Sequence, residues 1–322
     1  MFRVRWILSL CLVSVLYFVF WGTMNAGGPP PDGEWKSNAT LKNPAILTRT
    51  GLGAVQGVSI YRGKIYIYGD RYDVDPRVGV IREFDKDLEP TGKVITLTKN
   101  EKPLLLHPTG LTWDDKWGCF VGDTVDQKAK IYQLDWDRAL KDGNLDNAVR
   151  AVILDDAAVN GCRPLFVKVG TRTFLATADY GDKTPHVRLY DPAELLKAKL
   201  STAKGVLVHK IECGPFNQNL AWDANKGQLI CVQNVIAGRG WQLDVIDLGK
   251  AIKERNVSAR GVRVRKITLP PHSELEGWRD LGDGHSIFVT AHKQDNVIKG
   301  RIVRTMLRTS PKGTLGFRLP GM

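Results

Sequence analysis

A unit that recurs five times constrains this chain more than any other feature. Its first strand carries Gln56-Gly57-Val58, Thr109-Gly110-Leu111, Arg163-Pro164-Leu165, Gln218-Asn219-Leu220 and Glu276-Gly277-Trp278, at successive spacings of 53, 54, 55 and 58 residues. A β-rich second strand follows in each unit, at Ile65 to Tyr68, Cys119 to Val121, Phe174 to Ala178, Leu229 to Val232 and Ile287 to Thr290. Third strands end in an apolar or aromatic residue and an aspartate: Phe84-Asp85, Leu134-Asp135, Tyr190-Asp191 and Ile246-Asp247. Fourth strands close the first four units at Val94 to Leu97, Val149 to Leu154, Val206 to Ile211 and Val262 to Leu269. Unit five lacks a fourth strand of its own, and Ala45 to Thr50, just before unit one, can supply it. Four-stranded units of this size predict an all-β fold, a five-bladed β-propeller closed by an N-terminal strand that completes the last blade. Helical signal is sparse, with short excursions expected at Pro192 to Leu200 and Leu248 to Arg255.

The flanks set the domain boundaries. Arg3 and Arg5 precede an apolar run from Trp6 to Trp21, 16 positions against the roughly 20 that a spanning helix needs. This is the pattern of a signal peptide over residues 1–26, with an uncleaved membrane anchor as the alternative. Residues 27–44, with Gly27-Gly28-Pro29-Pro30-Pro31, read as a linker. The propeller is expected over 45–304, and 305–322 as a basic extension. Both readings of the N-terminus imply export: secreted, periplasmic or held at the outer face of the membrane, with membrane contact only through that first segment.

The net charge is +12, but no basic run concentrates it as a nucleic-acid arm would. Arg260, Arg263, Arg265 and Lys266 partly alternate with Val262 and Val264, the pattern of a strand with one wet face. Nucleic acid is therefore not an expected partner. Cys119, Cys162, Cys213 and Cys231 contain no C-x-x-C pair, which argues against structural zinc. Export permits disulfides, and Cys162 and Cys213 flank one repeat and are a candidate pair.

Propeller geometry brings the starts of first strands and the ends of second strands to one face. The first ring there holds Gln56, Thr109, Arg163, Gln218 and Glu276, with His107 and Glu274 two residues earlier in their own blades. The second holds Asp70, Asp123, Asp179, Asn234 and His292. An aspartate at a strand end can define its turn by accepting loop amides. Repetition therefore favours a structural role for Asp70, Asp123 and Asp179, with ligand contact as the alternative. His107, Glu276 and His292 are the catalytic candidates, since imidazoles and paired carboxylates do acid–base work. Glu274 and Glu276 could equally hold a metal. Arg163 can neutralise those carboxylates or clamp an anion. Trp113, Trp222 and Trp278 are expected mainly between blades, and Trp241 is the indole best placed to stack on a ligand.

At the level of single blades the chain resembles the calcium-dependent lactonase and gluconolactonase propellers. His107-Pro108-Thr109-Gly110-Leu111 through Gly122-Asp123-Thr124 resembles their P-x-G-hydrophobic … D-T blades. Asn219-Leu220-Ala221-Trp222 is similar to the segment that carries their metal-binding asparagine, and Leu275-Glu276-Gly277 to the one with their metal-binding glutamate. The resemblance implies Ca2+ or another divalent cation at Asn219, Glu274 and Glu276. It departs in two respects: that family has six blades, and its glutamate lies in the first of them. Five-bladed glycoside hydrolases use three acidic residues, of which only the Glu274/Glu276 pair is found here.

Two functions follow. One is a non-catalytic propeller that binds a small polar ligand or an envelope protein on the channel face, using Gln56, Arg163, Gln218, Asn234, Trp241 and the aspartate ring. The other is a metal-dependent hydrolase acting on a lactone, ester or sugar.

Overall fold

The computed structural model describes residues 37–46, 52–71, 74–125, 128–158, 160–181, 185–236, 240–254, 263–264, 274–282, 284–291 and 296–306. The first strand, β1 (Ser37–Ile46), is followed by blade one: β2 (Ala54–Tyr61), β3 (Lys64–Arg71), β4 (Val78–Phe84) and β5 (Pro90–Thr96). A small ribbon, β6 (Thr98–Lys99) with β7 (Lys102–Pro103), leads to blade two. That blade is β8 (Pro108–Asp114), β9 (Gly118–Val125), β10 (Lys128–Leu134), α1 (Trp136–Asp142) and β11 (Val149–Leu154). Blade three is β12 (Leu165–Val169), β13 (Arg172–Ala178), β14 (His186–Tyr190), α2 (Pro192–Ala198) and β15 (Leu207–Glu212). Blade four is β16 (Asn217–Asp223), β17 (Gln228–Ile236), β18 (Gly240–Asp247), α3 (Leu248–Glu254) and β19 (Arg263–Val264). Blade five is β20 (Leu275–Asp280), β21 (His285–Thr290) and β22 (Val297–Met306), completed by β1.

Each blade is an antiparallel meander, and β1 lies antiparallel on β22 from Ser37↔Met306 to Ile46↔Ile298. The closing strand thus begins well before the expected Ala45, inside the segment read as linker. It needs that length because β22 is ten residues long. A single parallel pair, Ser37↔Val264, also joins the outer strands of blades four and five.

Period-two alternation explains how flat sheets become a ring. Ile65 and Ile67 enter a cluster with Val58, Phe84, Ile287 and Val289 between blades five and one. Their neighbours Tyr66 and Tyr68 point the other way, against Leu111, Val121 and Trp136 of blade two. Likewise Leu229 and Cys231 face blade three, whereas Ile230 and Val232 face blade five. Successive side chains leave opposite faces of a strand, so each blade buries both faces and five apolar clusters fill the five interfaces. Each fully buried Val, Ile, Leu or Phe contributes about 1.5–3 kcal/mol relative to exposure.

The aspartates that end the third strands are turn and helix caps. Asp135 Oδ1 accepts the Arg138 amide, Asp191 Oδ1 those of Ala193 and Glu194, and Asp247 Oδ1 that of Lys250. An N-cap carboxylate satisfies amides that lack an intrahelical partner. Asp85 performs the same task for a tight turn, accepting from Asp87 and Glu89. Three blades therefore carry a helix between strands three and four. The one at Trp136–Asp142 goes beyond the two expected: Trp136 and Ala139 are buried on its inner side.

All four described cysteines are free thiols. Cys162 is fully buried and donates to Lys130 O of blade two at 3.2 Å. It is not paired with Cys213, which instead neighbours Cys231. No described helix is long and apolar enough to cross a membrane, and residues 1–36 lie outside the described part.

Candidate polar site at the channel mouth

Four of the five first-ring residues occupy the same irregularity. In β2 the pairing passes from Val55 to Gly57, in β8 from Pro108 to Gly110, in β16 from Asn217 to Asn219 and in β20 from Leu275 to Gly277. Gln56, Thr109, Gln218 and Glu276 are the skipped residues. A β-bulge of this kind frees one residue from the ladder and re-aims its side chain. In blade three Pro164 has no amide to offer, and the Arg163 amide bonds to Thr177 Oγ1 at 2.8 Å.

These side chains link neighbouring blades. Thr109 Oγ1 donates to Cys162 O. Arg163 Nε donates to Gln218 O at 3.2 Å, and one of its terminal nitrogens reaches Gln218 Oε1 at 3.4 Å. Gln218 Nε2 in turn lies 3.3 Å from both Glu276 Oε1 and Glu274 Oε2. Glu276 is 1% exposed, and its Oε2 has no hydrogen-bond partner among the described residues. Burial first, then the neighbouring Glu274, holds the Glu276 carboxyl well above its ordinary range, against the pull of Arg163. The pair is thus an exposed Glu274 side chain beside a buried Glu276 carboxyl whose burial favours its protonated form.

The aspartates of the second ring are engaged. Asp70, with a fully buried side chain, pairs with Arg77 and with His107 Nδ1, the latter at 2.9 Å. Asp123 accepts the His107 amide at 2.8 Å. Asp179 pairs with Arg188 and accepts the Asn160 amide at 3.4 Å. Arg188 also meets Asp155, to which Tyr190 donates at 2.6 Å, so a buried charge network braces blade three. His107 keeps 31% of its side chain exposed. Its pKa falls to about 4, chiefly from burial and then from the charges of Arg77 and Arg163, so the ring is neutral at pH 7. Asp123 and Glu274 act on the same imidazole in the opposite sense, which brings blades two, three and five to one mouth. Gln56 stands at the blade-one station, buried. Asn234 and Trp241 are described only by the strands that carry them, and His292 lies outside the described residues.

Asn219 has another role. Its Nδ2 donates to the Tyr68 hydroxyl at 2.8 Å, and its Oδ1 accepts two bonds from Arg279, each 3.2 Å. A guanidinium therefore sits where a metal-ligating oxygen would need its cation, and Asn219 does not join Glu274 and Glu276. Among the described residues no group of three or more His, Cys, Asp or Glu side chains converges as a metal site would. The residue set implied by the lactonase resemblance does not fit one calcium site.

No protein-family model matches the chain, and no curated protein matches it. Solved structures do. A luciferin-regenerating enzyme aligns at a TM-score of 0.35 and 11% identity, over 53% of this chain and 50% of that one. Hydrazine synthase of Kuenenia stuttgartiensis aligns at 0.38 and 10%, over 76% and 58%. Sqt1 from Chaetomium thermophilum aligns at 0.37 and 12%, over 85% and 64%. The chain thus spans less than two thirds of each of these three proteins.

Proposed function

We propose that this protein is a binding propeller that takes a small polar ligand with a positive group at the mouth bounded by His107, Glu274 and Glu276. One observation carries the reading: the buried Glu276 carboxyl, with an unpartnered oxygen, beneath the exposed Glu274 carboxylate. Deprotonating Glu276 is unfavourable with only Arg163 to offset its burial, so a ligand's ammonium group would displace the proton. Gln218 holds both carboxylates from one side, and Arg163 holds Gln218. The run from Arg3 to Trp21 supports a place outside the cytoplasm. Thermal shifts with putrescine and choline at pH 6 and pH 8 test the reading. Stabilisation should be larger at pH 8 and should vanish in Glu276→Gln. If neither probe stabilises the wild type at either pH, the reading is wrong.

A second reading, hydrolysis of a lactone, ester or sugar, has one observation in its favour. A buried Glu276 carboxyl, raised above its ordinary range and beside the exposed Glu274, is an arrangement that general-acid chemistry uses. Turnover of p-nitrophenyl esters, simple lactones or p-nitrophenyl glycosides by the purified protein, lost in Glu276→Gln, would replace the binding reading with this one.

A further inference from the structure

A cavity opens at the other end of the channel. It has a volume of about 540 Å³, bounded by the last residues of β2, β8, β16 and β20 and the turns after them. Its floor is Arg279. The guanidinium donates to Asn219 Oδ1, to Ser59 Oγ at 3.2 Å and to Trp278 O at 2.7 Å. Every one of these acceptors is neutral. No carboxylate among the described residues forms an ion pair with Arg279, and burial lowers its pKa to about 10 with only Tyr68 opposing.

The walls are aromatic. Trp113, stacked on Tyr61 with centroids 4.7 Å apart and planes within 3°, forms one side, and Trp222 and Trp278 line others. The indole N–H groups of Trp113 and Trp278 are buried without a hydrogen-bond partner among the described residues. The two carboxylates at the rim are occupied: Asp223 pairs with Lys226 at 2.6 Å, and Asp280 accepts the Gly282 amide at 2.9 Å.

We propose that this cavity is a second ligand site, specific for a small monoanionic ligand, a carboxylate carried on a flat apolar or ring-shaped body. Arg279 is half-buried; leaving a partly desolvated cation without a counter-ion is costly, and a bound carboxylate would supply one through charge-assisted bonds. The aromatic walls supply the surface against which a flat body stacks. Asp223 and Asp280 at the rim disfavour a dianion. The volume falls within the range of pockets for small ligands.

The probes are 2-naphthoate and its neutral analogue 2-naphthamide, titrated into the full chain and read by tryptophan fluorescence and calorimetry. Saturable naphthoate binding is expected, at least about tenfold tighter than naphthamide. Arg279→Gln should erase that preference, and Trp222→Ala should weaken naphthoate about tenfold or more. Equal affinity for the two probes, no binding of naphthoate, or binding indifferent to Trp222→Ala overturns the proposal. Should Arg279→Gln not fold, the naphthoate/naphthamide comparison on the wild type and the Trp222→Ala titration still decide it.

Discussion

Asn219 of blade four donates a hydrogen bond to the hydroxyl of Tyr68 in blade one, 151 residues away in sequence and not a neighbour in the ring. Around this bond the axis is closed by polar groups. Arg279 joins Asn219 to Ser59, and Ser59 Oγ donates to Leu111 O at 2.6 Å. Gly57 permits the approach, since a Cβ there would lie 2.3 Å from the Tyr68 oxygen and 2.5 Å from Asn219 Nδ2.

Breaking this pin should be costly. Tyr68→Phe leaves the Asn219 amide without its acceptor and should lower unfolding stability by about 1–3 kcal/mol in urea denaturation. Gly57→Ala should cost about the same or more through overpacking. A change within about 0.5 kcal/mol for both would show that the axis is not under this constraint.

Acid should destabilise the fold through His107. Its folded pKa, about 4, lies below the ordinary 6.5. The folded state therefore holds fewer protons on this ring than the unfolded state between those values. The stability it contributes is present above pH 6.5 and is lost as pH falls toward 4, on the order of 3 kcal/mol in all. His107→Gln should flatten the stability profile in that window, as followed by denaturation at half-unit pH steps.

Glu276 should act with the opposite sign. Its carboxyl is raised well above its ordinary 4.5. The folded state keeps a proton that the unfolded state has lost, so its contribution is intact below about pH 4.5 and declines as pH rises through the folded value. Glu276→Gln should accordingly raise the melting temperature at pH 8 more than at pH 5. Equal effects at both pH values would show that Glu276 is ionised in the free protein.

Oxidation should select one thiol pair. Cys231 neighbours Cys213, whereas Cys162 is turned toward Lys130 O. Under a mild glutathione redox buffer, peptide mapping should recover a Cys213–Cys231 cross-link and none between Cys162 and Cys213.

The blade count was legible because two signals repeat in phase: the short motif at the start of the first strands and, in four units, the aspartate at the end of the third. The ring at the mouth was legible in part. Gln56, Thr109, Gln218 and Glu276 share a station in the motif, but the bulges that aim them depend on pairing with the second strand, which no local pattern records. Asn219 misled because its segment is similar to a metal-binding one, while its partners come from blades one and five. The cavity around Arg279 left no trace in the sequence at all. Its residues lie at the ends of first strands in separate blades, so Trp113, Trp222 and Trp278 read as ordinary core. The helix at Trp136–Asp142 was hidden for a related reason: its cap, Asp135, looks like the same strand-end aspartate as Asp85, which caps only a turn.

Pairing β1 with β22 couples the assembly of the ring to the order of synthesis. The strand made first among those described must wait for the one made last before the clasp can shut. Until then β22 offers a ten-residue open edge to any passing chain, its own copies included. Blades one to four can each form from local hairpins, but the ring closes only through a contact that spans the whole domain. A chain released from the ribosome before β22 is complete would therefore have nothing to latch on to, and exchange of β1 between two copies is the natural route by which this protein would dimerise by mistake.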